Sequence, residues 1–255
     1  MKASIFASGS SGNCMLLTSG DTNILIDAGI SMRRAEDALR QAGLTMRDIG
    51  GVLITHEHSD HISGLKMIVK HYGLPVYAPR TLAARLRGML PELDGFLRII
   101  EPGKDFRIGS LSVRAFHTPH DTDESVGYRI ESDGVFAVAT DMGHVTDEVE
   151  TNLIGADAVL VESNHDVEML SYGAYPVYLK RRILSDRGHL SNADCAKLVR
   201  RLAESGVKRI VLGHLSRENN TPEKALREAG QAIAGYPVQL CCAPVYGCLC
   251  FEIGE

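Results

Sequence analysis

The segment Thr55-His56-Glu57-His58-Ser59-Asp60-His61 directly follows the apolar run Gly51-Val52-Leu53-Ile54, and no other stretch constrains the fold as strongly. The apolar run reads as a short buried strand, whose side chains alternate between two faces. The loop after it can aim His56 and His58 at one ion while Asp60 and His61 turn toward a second. A mixed imidazole and carboxylate set differs from the cysteine-rich closed tetrahedra of structural zinc sites, because it leaves positions open for water and substrate. Such a loop needs partners, so further ligands are expected from other loops along one edge of the fold.

The chain has 255 residues, long for one domain and short for two, so a single α/β domain over residues 1–255 is the expectation. Short apolar runs alternate with helical patterns throughout, without a repeat, linker or low-complexity tract. Strands are predicted near 3–7, 14–18, 23–27, 51–54, 75–78, 96–100, 111–117, 126–131, 135–139, 157–161 and 208–212, with closing strands around Pro244 and Gly247. Helices are predicted over 31–42, from Ile62 to Gly73, over 81–89, in segments up to Leu184, and over 192–204 and 222–234. Ser191 with Asp194 and Thr221-Pro222 supply N-terminal caps for the last two. Strand-rich blocks punctuated by helices, without regular βαβ alternation, predict two mixed sheets covered by helices on both outer faces.

No stretch of eighteen apolar residues occurs, and Met1-Lys2-Ala3-Ser4-Ile5-Phe6 runs into Ser and Gly instead of a signal-peptide core, so a soluble cytoplasmic protein is expected, with no membrane partner. The six cysteines lack CxxC spacing and read as reduced thiols, with Cys241, Cys242, Cys248 and Cys250 expected to pack in the core. A net charge of −5 argues against a protein that coats nucleic acid with a basic surface. It leaves room for a local phosphate site, since bound divalent ions would be the largest local positive charges. Lys180, Arg181, Arg182 and Arg187 form a basic segment that reads most simply as a solvated helix face.

Other predicted strands also end in ligand-type residues. His120 follows Phe116-His117-Thr118-Pro119, Asp141 follows Val135-Phe136-Ala137-Val138-Ala139-Thr140, and His214 follows Ile210-Val211-Leu212-Gly213. The repetition of apolar run then ligand carries the argument, because a lone histidine after a strand is more often a hydrogen-bonded loop residue.

With these residues in place, the sequence resembles the metallo-β-lactamase fold superfamily, whose His-x-His-x-Asp-His signature stands here as His56, His58, Asp60 and His61. The resemblance implies an αββα sandwich. It implies that His56, His58 and His120 hold one divalent ion and Asp60, His61 and His214 another, with Asp141 bridging. His117 competes for the place of His120, which is preferred because the spacing to Gly127-Tyr128 is similar to that of the nuclease branches. The segments Ser8-Gly9-Ser10-Ser11-Gly12-Asn13, Glu162-Ser163-Asn164-His165-Asp166, Gly188-His189-Leu190-Ser191-Asn192 and His214-Leu215-Ser216-Arg217-Glu218-Asn219-Asn220 look like the YycJ/WalJ group of bacterial exonucleases. That likeness implies 5′-to-3′ hydrolysis of double-stranded DNA ends with manganese, although zinc or iron suit the same ligand types.

Two such ions can hold a hydroxide between them and clamp phosphate oxygens during in-line attack. Asp60 would then orient the water or take its proton. His189 is the candidate acid for the leaving oxygen, because it resembles the histidine that tRNase Z enzymes present from a Gly-His segment; a merely packed ring is the alternative. Ser11, Asn13, Asn164, Arg182, Arg217 and Asn219 are the candidate substrate contacts, against the alternative that they cap helices and tie loops together. RNA processing, or hydrolysis of a small thioester, ester or lactam, stands as the competing reading, because one site chemistry serves several substrates. Oligomeric state is left open by the sequence.

Overall fold

The computed structural model describes residues 1–254. Its first half runs β1 (Lys2–Ala7), β2 (Cys14–Ser19), β3 (Thr22–Ile26), α1 (Met32–Gln41), β4 (Gly51–Leu53), α2 (Ser59–Ile62), α3 (Leu65–Tyr72), β5 (Val76–Pro79), α4 (Arg80–Met89) and β6 (Leu97–Ile100). Then follow β7 (Asp105–Ile108), β8 (Leu111–His117), β9 (Val126–Glu131), β10 (Val135–Ala139), α5 (Asp147–Leu153) and β11 (Ala158–Glu162). The chain closes with α6 (Val167–Tyr172), α7 (Val177–Ile183), α8 (Asn192–Glu204), β12 (Arg209–Gly213), α9 (Pro222–Ala232), β13 (Gln239–Cys242) and β14 (Leu249–Glu252).

These strands form two seven-stranded sheets, ordered β14-β1-β2-β3-β4-β5-β6 and β13-β12-β11-β10-β9-β8-β7. Each sheet is antiparallel on one side and parallel on the other: β3, β4, β5 and β6 run parallel in the first, and β10, β11, β12 and β13 in the second. The period-2 alternation of the strands explains the layering. Ile5, Leu17, Ile24 and Leu53 meet Val113, Tyr128, Phe136 and Val211 between the sheets. Val52 and Ile54 instead face α1, α3 and α4 together with Leu39, Leu65 and Leu86, while Ile210 and Leu212 face α5, α8 and α9 with Leu153, Leu198 and Ala229. Helices therefore cover both outer faces of a β-sandwich, the αββα arrangement anticipated from the sequence. Burying an aliphatic or aromatic side chain of this size contributes about 1.5–3 kcal/mol relative to leaving it exposed, which is why strands apolar on both faces occupy the middle of each sheet. Ser191 accepts from Asp194 N at 3.1 Å, and Thr221 accepts from Lys224 N at 3.3 Å with Pro222 in the first turn, as expected of caps.

Four local expectations are corrected. The helix expected to begin at Ile62 is two helices, α2 and α3, parted at Ser63-Gly64. Gly64 N donates to Ala28 O at 2.8 Å, and a Cβ there would stand 2.0 Å from Ile30 O, so the break lets two backbones touch. Strand β7 carries Asp105 and Arg107 on an exposed sheet edge, and α5 is a short acidic helix, Asp-Glu-Val-Glu-Thr-Asn-Leu; neither has the apolar content that pattern reading depends on. Cys248 and Cys250 are exposed, not core residues. They lie on or beside the edge strand β14, which turns Phe251 inward and leaves its alternate face uncovered.

Candidate metal centre

The C-terminal ends of β3, β4, β10, β11 and β12 open on one edge of the sandwich, the usual place for sites in sheets with parallel strands. Three residues there adopt the left-handed backbone region without being glycine: Asp27 with φ 58°, Asp141 with φ 57° and His214 with φ 53°. Each such conformation costs about 1–3 kcal/mol and persists only where the surroundings over-determine it. Those surroundings are visible. Thr55 N and Oγ1 donate to Asp27 Oδ1 at 2.9 and 3.1 Å, and His214 N donates to Ser8 Oγ at 2.9 Å.

The histidine loop is pinned along its length. Tyr128 donates its hydroxyl hydrogen to Ile54 O at 2.6 Å, and Val126 N donates to Thr55 O at 3.0 Å, so the second sheet holds the end of the β4 segment. Asn13 N donates to Asp60 O at 2.7 Å and Ala28 N to His61 O at 2.8 Å. The loop is thus tied to the second sheet and to the segments after β1 and β3.

Ring nitrogens converge at the centre of this edge. His58 Nδ1 lies 3.2 Å from His56 Nε2 and 3.3 Å from His120 Nε2. Nearby, His61 Nε2 is 3.5 Å from Asp60 Oδ2 and 3.3 Å from Asp141 Oδ2, and His214 Nε2 is 3.4 Å from Asp60 Oδ2. Asp141 Oδ1 reaches toward the other group, 3.8 Å from His120 Nε2. Donor atoms of His56, His58 and His120 lie within 4.8 Å of one another, as do those of Asp60, His61 and His214, and those of His56, His61 and Asp141.

The donor chemistry suits cations. His61 Nδ1 donates to Asp27 Oδ2 at 2.7 Å, His214 Nδ1 to Glu162 Oε1 at 3.0 Å, and His120 Nδ1 to Gly188 O at 3.1 Å. Each bond fixes a tautomer that turns the Nε2 lone pair inward, the outer-shell arrangement found around metal-ligating histidines. Asp141 Oδ2 is buried and makes no hydrogen bond. A buried carboxylate oxygen without a donor, among converging imidazole nitrogens, fits divalent cations.

The electrostatics agree. Burial disfavours charge on His56, and the neighbouring His61 adds to this, so its pKa lies well below the ordinary imidazole value and the ring stays neutral. Burial works against ionised Asp141 and Asp60, yet the surrounding His214 and His61 outweigh it and hold both carboxyls below the usual range. His214 is pushed up to about 10: burial opposes its charge, and Asp141, Asp60 and Glu162 overcome it.

Glu162 and Asp27 are two residues that sequence reasoning missed. Glu162 is fully buried; its Oε1 accepts from His189 Nδ1 at 2.7 Å and from His214, while its Oε2 accepts from Met142 N at 2.9 Å and Leu190 N at 3.2 Å. Both residues end apolar runs, Asn23-Ile24-Leu25-Ile26-Asp27 and Val159-Leu160-Val161-Glu162. The strand-then-ligand pattern that marked His120, Asp141 and His214 would have found them. Asp121 also escaped notice: its Oδ1 is buried, 3.3 Å from His120 Nε2 and 3.6 Å from His58 Nε2.

The remaining candidates divide. His117 is exposed, 3.4 Å from Glu148, and stands apart from the cluster, whereas His120 joins it. His189 lines a groove of about 360 Å³ above the cluster, together with His58, Asp60, Asn164, Arg182 and Ser216. Arg182 pairs there with Asp121, and Asn164 donates from Nδ2 to His214 O at 3.0 Å. Ser11 and Arg217 stand exposed beside groove residues Ser10 and Ser216. Two candidates are not brought to the groove surface. Asn13 is buried, with its amide against Gly9, Asp60 and His61, and Asn219 is buried with Nδ2 making no hydrogen bond. Nor is the basic segment simply a solvated face: Arg187 donates to the carbonyls of His120 (2.7 Å) and Thr122, holding the loop between them.

A family described as "Beta-lactamase superfamily domain" matches residues 22–215. Exodeoxyribonuclease YycJ of Bacillus anthracis is 40% identical over 234 residues, covering 90% of this chain and 88% of that protein. Exodeoxyribonuclease WalJ of Streptococcus pneumoniae is 40% identical over 228 residues, covering 88% and 85%. Among solved structures, Zn(2+)-bound PqqB from Methylobacterium extorquens shares the fold with a TM-score of 0.77 at 19% identity, over 99% of this chain and 100% of that one. With a match this long and a histidine–carboxylate cluster at the sheet edge, the chain belongs to the metallo-β-lactamase fold superfamily of metal-dependent hydrolases and is a homologue of YycJ and WalJ.

Proposed function

We propose that the protein is a dinuclear-metal-dependent phosphodiesterase that removes nucleotides from the 5′ ends of double-stranded DNA. One observation carries the reading: the cluster forms the floor of an open groove whose walls offer Ser10, Asn164, Arg182, His189 and Ser216, polar groups suited to a phosphodiester and unlike a closed apolar cup. The activity printed in the names of YycJ and WalJ supports it. In this reading His56, His58 and His120 would hold one ion and Asp60, His61 and His214 the other, with Asp141 available to both. Manganese is the proposed metal, and zinc or iron suit the same donors.

When bound, two divalent ions supply Lewis-acid charge for the phosphate and lower the pKa of water. The chain's own residues do the rest. Asp60, at the floor and held ionised, orients the attacking water by accepting its hydrogen bond, and the water's proton passes to solvent because a carboxyl held this far below the usual range does not keep it. His189 keeps Nδ1 on Glu162, which leaves Nε2 to give a proton to the departing 3′-oxygen. Burial works against its charge, but Glu162 and then Asp141 raise its pKa above the ordinary imidazole value, so the ring carries that proton. Glu162 acts as a positioning residue, joining the acid His189 to the ligand His214 through one carboxylate oxygen.

The test follows 5′-phosphorylated, end-labelled duplex DNA with the manganese-loaded protein, beside Asp60→Ala and a matched RNA duplex. Release of nucleotides from DNA 5′ ends that disappears in the variant is the expected result. Protein carrying both metals that leaves DNA intact would sink the reading, and preference for the RNA duplex would move it to RNA processing.

A further inference from the structure

Beside the groove, two guanidinium groups share one exposed aromatic ring. Arg34 Cζ and Arg217 Cζ each lie 4.8 Å from the centre of the Tyr246 ring, and Tyr246 is 58% exposed. The three residues come from distant parts of the chain: the first turn of α1, the loop after β12, and the connection between β13 and β14. Their neighbours reach the active groove. Ser10 and Ser216 line it, and the next residue along the chain from each, Ser11 and Arg217, interacts with the Tyr246 phenol.

Among the described residues, no carboxylate forms an ion pair with Arg34 or Arg217. In a chain of net charge −5, two guanidiniums gathered without a counter-charge at the mouth of a groove call for an anionic partner. A guanidinium carries five N–H donors, so Arg34, and Arg217 beyond the donor it gives the Tyr246 phenol, keep N–H groups for phosphate oxygens. The ring also restricts both side chains before binding, which reduces the ordering cost that flexible arginines otherwise carry.

We infer that Arg34, Tyr246 and Arg217 form a clamp for the phosphodiester backbone of the DNA strand, next to the position where the strand is cut. The inference rests on the phosphodiesterase reading above and names a contact surface for its substrate. The two arginines bind phosphates, and Tyr246 is a positioning residue that holds them. The two arginines set positive charge beside the groove of an otherwise acidic chain.

The experiment uses the manganese-loaded protein and a fluorescent, 5′-phosphorylated duplex whose terminal linkages are phosphorothioates that resist cleavage. Binding is followed by anisotropy at several salt concentrations. Each phosphate contact contributes about 0.7–0.9 to the slope of log K against log salt, so Arg34→Ala/Arg217→Ala should lower that slope by about 1.4–1.8. Its affinity at low salt should fall roughly tenfold or more. Tyr246→Ala should weaken binding in the same direction, whereas Tyr246→Phe, which keeps the ring, should restore most of it. On cleavable DNA the double variant should lose at least roughly tenfold more kcat/KM than on bis(p-nitrophenyl) phosphate, a diester that occupies only the scissile position.

A double variant with the parental salt slope and DNA affinity overturns the clamp alone. Parental protein that hydrolyses neither DNA nor the small diester overturns the phosphodiesterase reading, and the clamp with it, before any variant is made.

Discussion

At the floor of the groove His61 is fully buried, with Nδ1 on Asp27 and Nε2 facing Asp60 and Asp141. At the rim Tyr246 stands largely in solvent with two guanidinium groups over its ring. Floor residues sit in a low-dielectric interior where each polar atom must find a partner, so they act as a unit and tolerate little change. Rim residues lie in water, where charges are screened and single contacts are weak. The floor should therefore set whether the reaction happens, and the rim should set which polymer is held and at what salt.

The largest expected effect comes from a floor residue that is not itself among the proposed ligands. Asp27→Ala takes the carboxylate from the buried His61 Nδ1–H and leaves it only the Thr55 hydroxyl, 3.1 Å away. Removing one partner of a buried pair costs about 3–5 kcal/mol, and losing an outer-shell partner weakens metal binding roughly 10–100-fold. Thermal unfolding and metal content after dialysis would check both; a variant that keeps the parental melting temperature and both ions would break the distinction between floor and rim.

A pH dependence of intermediate size should be confined to the floor. In the metal-free protein His214 titrates at about 10, above its ordinary 6.5, because Asp141, Asp60 and Glu162 outweigh its burial. The stability this contributes is whole below about pH 6.5 and is lost as the pH rises through about 10. A divalent ion must displace that proton, so manganese affinity should rise across the window in which metal-free stability falls. Unfolding of chelator-treated protein and manganese titration, both across this range, would show the opposed trends. Parallel trends would mean that His214 is not competing with metal.

The smallest effect is expected at His117, which shares the Phe116–His120 segment with a proposed ligand but is exposed. His117→Ala should change stability by less than about 0.5 kcal/mol and leave the metal content intact, while His120→Ala should lose one ion. Equal loss in the two variants would erase the contrast between neighbours three residues apart.

The architecture was legible because strand alternation and apolar runs report which faces must be covered, and those patterns survive in β8, β9 and β10 with the predicted bounds. What escaped was polar or interrupted. Strand β7 and helix α5 have few apolar residues to mark them, and the break at Gly64 exists only because the Ala28–Ile30 backbone passes against it. In the site, the motif from His56 to His61 was readable because its donor-type residues lie within one loop. Glu162 was harder to single out: what distinguishes it from any strand-end carboxylate is the meeting of His189, His214 and two backbone amides on its oxygens.

By itself the sequence determined the donor types, their order and the apolar runs that precede them, because these depend on local periodicity and on ligand chemistry. Only the tertiary structure decided which histidine of the 117–120 pair turns inward, that Asn13 supports the floor, and that Arg34, Arg217 and Tyr246 meet at the rim. Those outcomes depend on how two sheets bring remote segments to one edge, and burial, which chooses among chemically equivalent side chains, exists only after the sheets have packed.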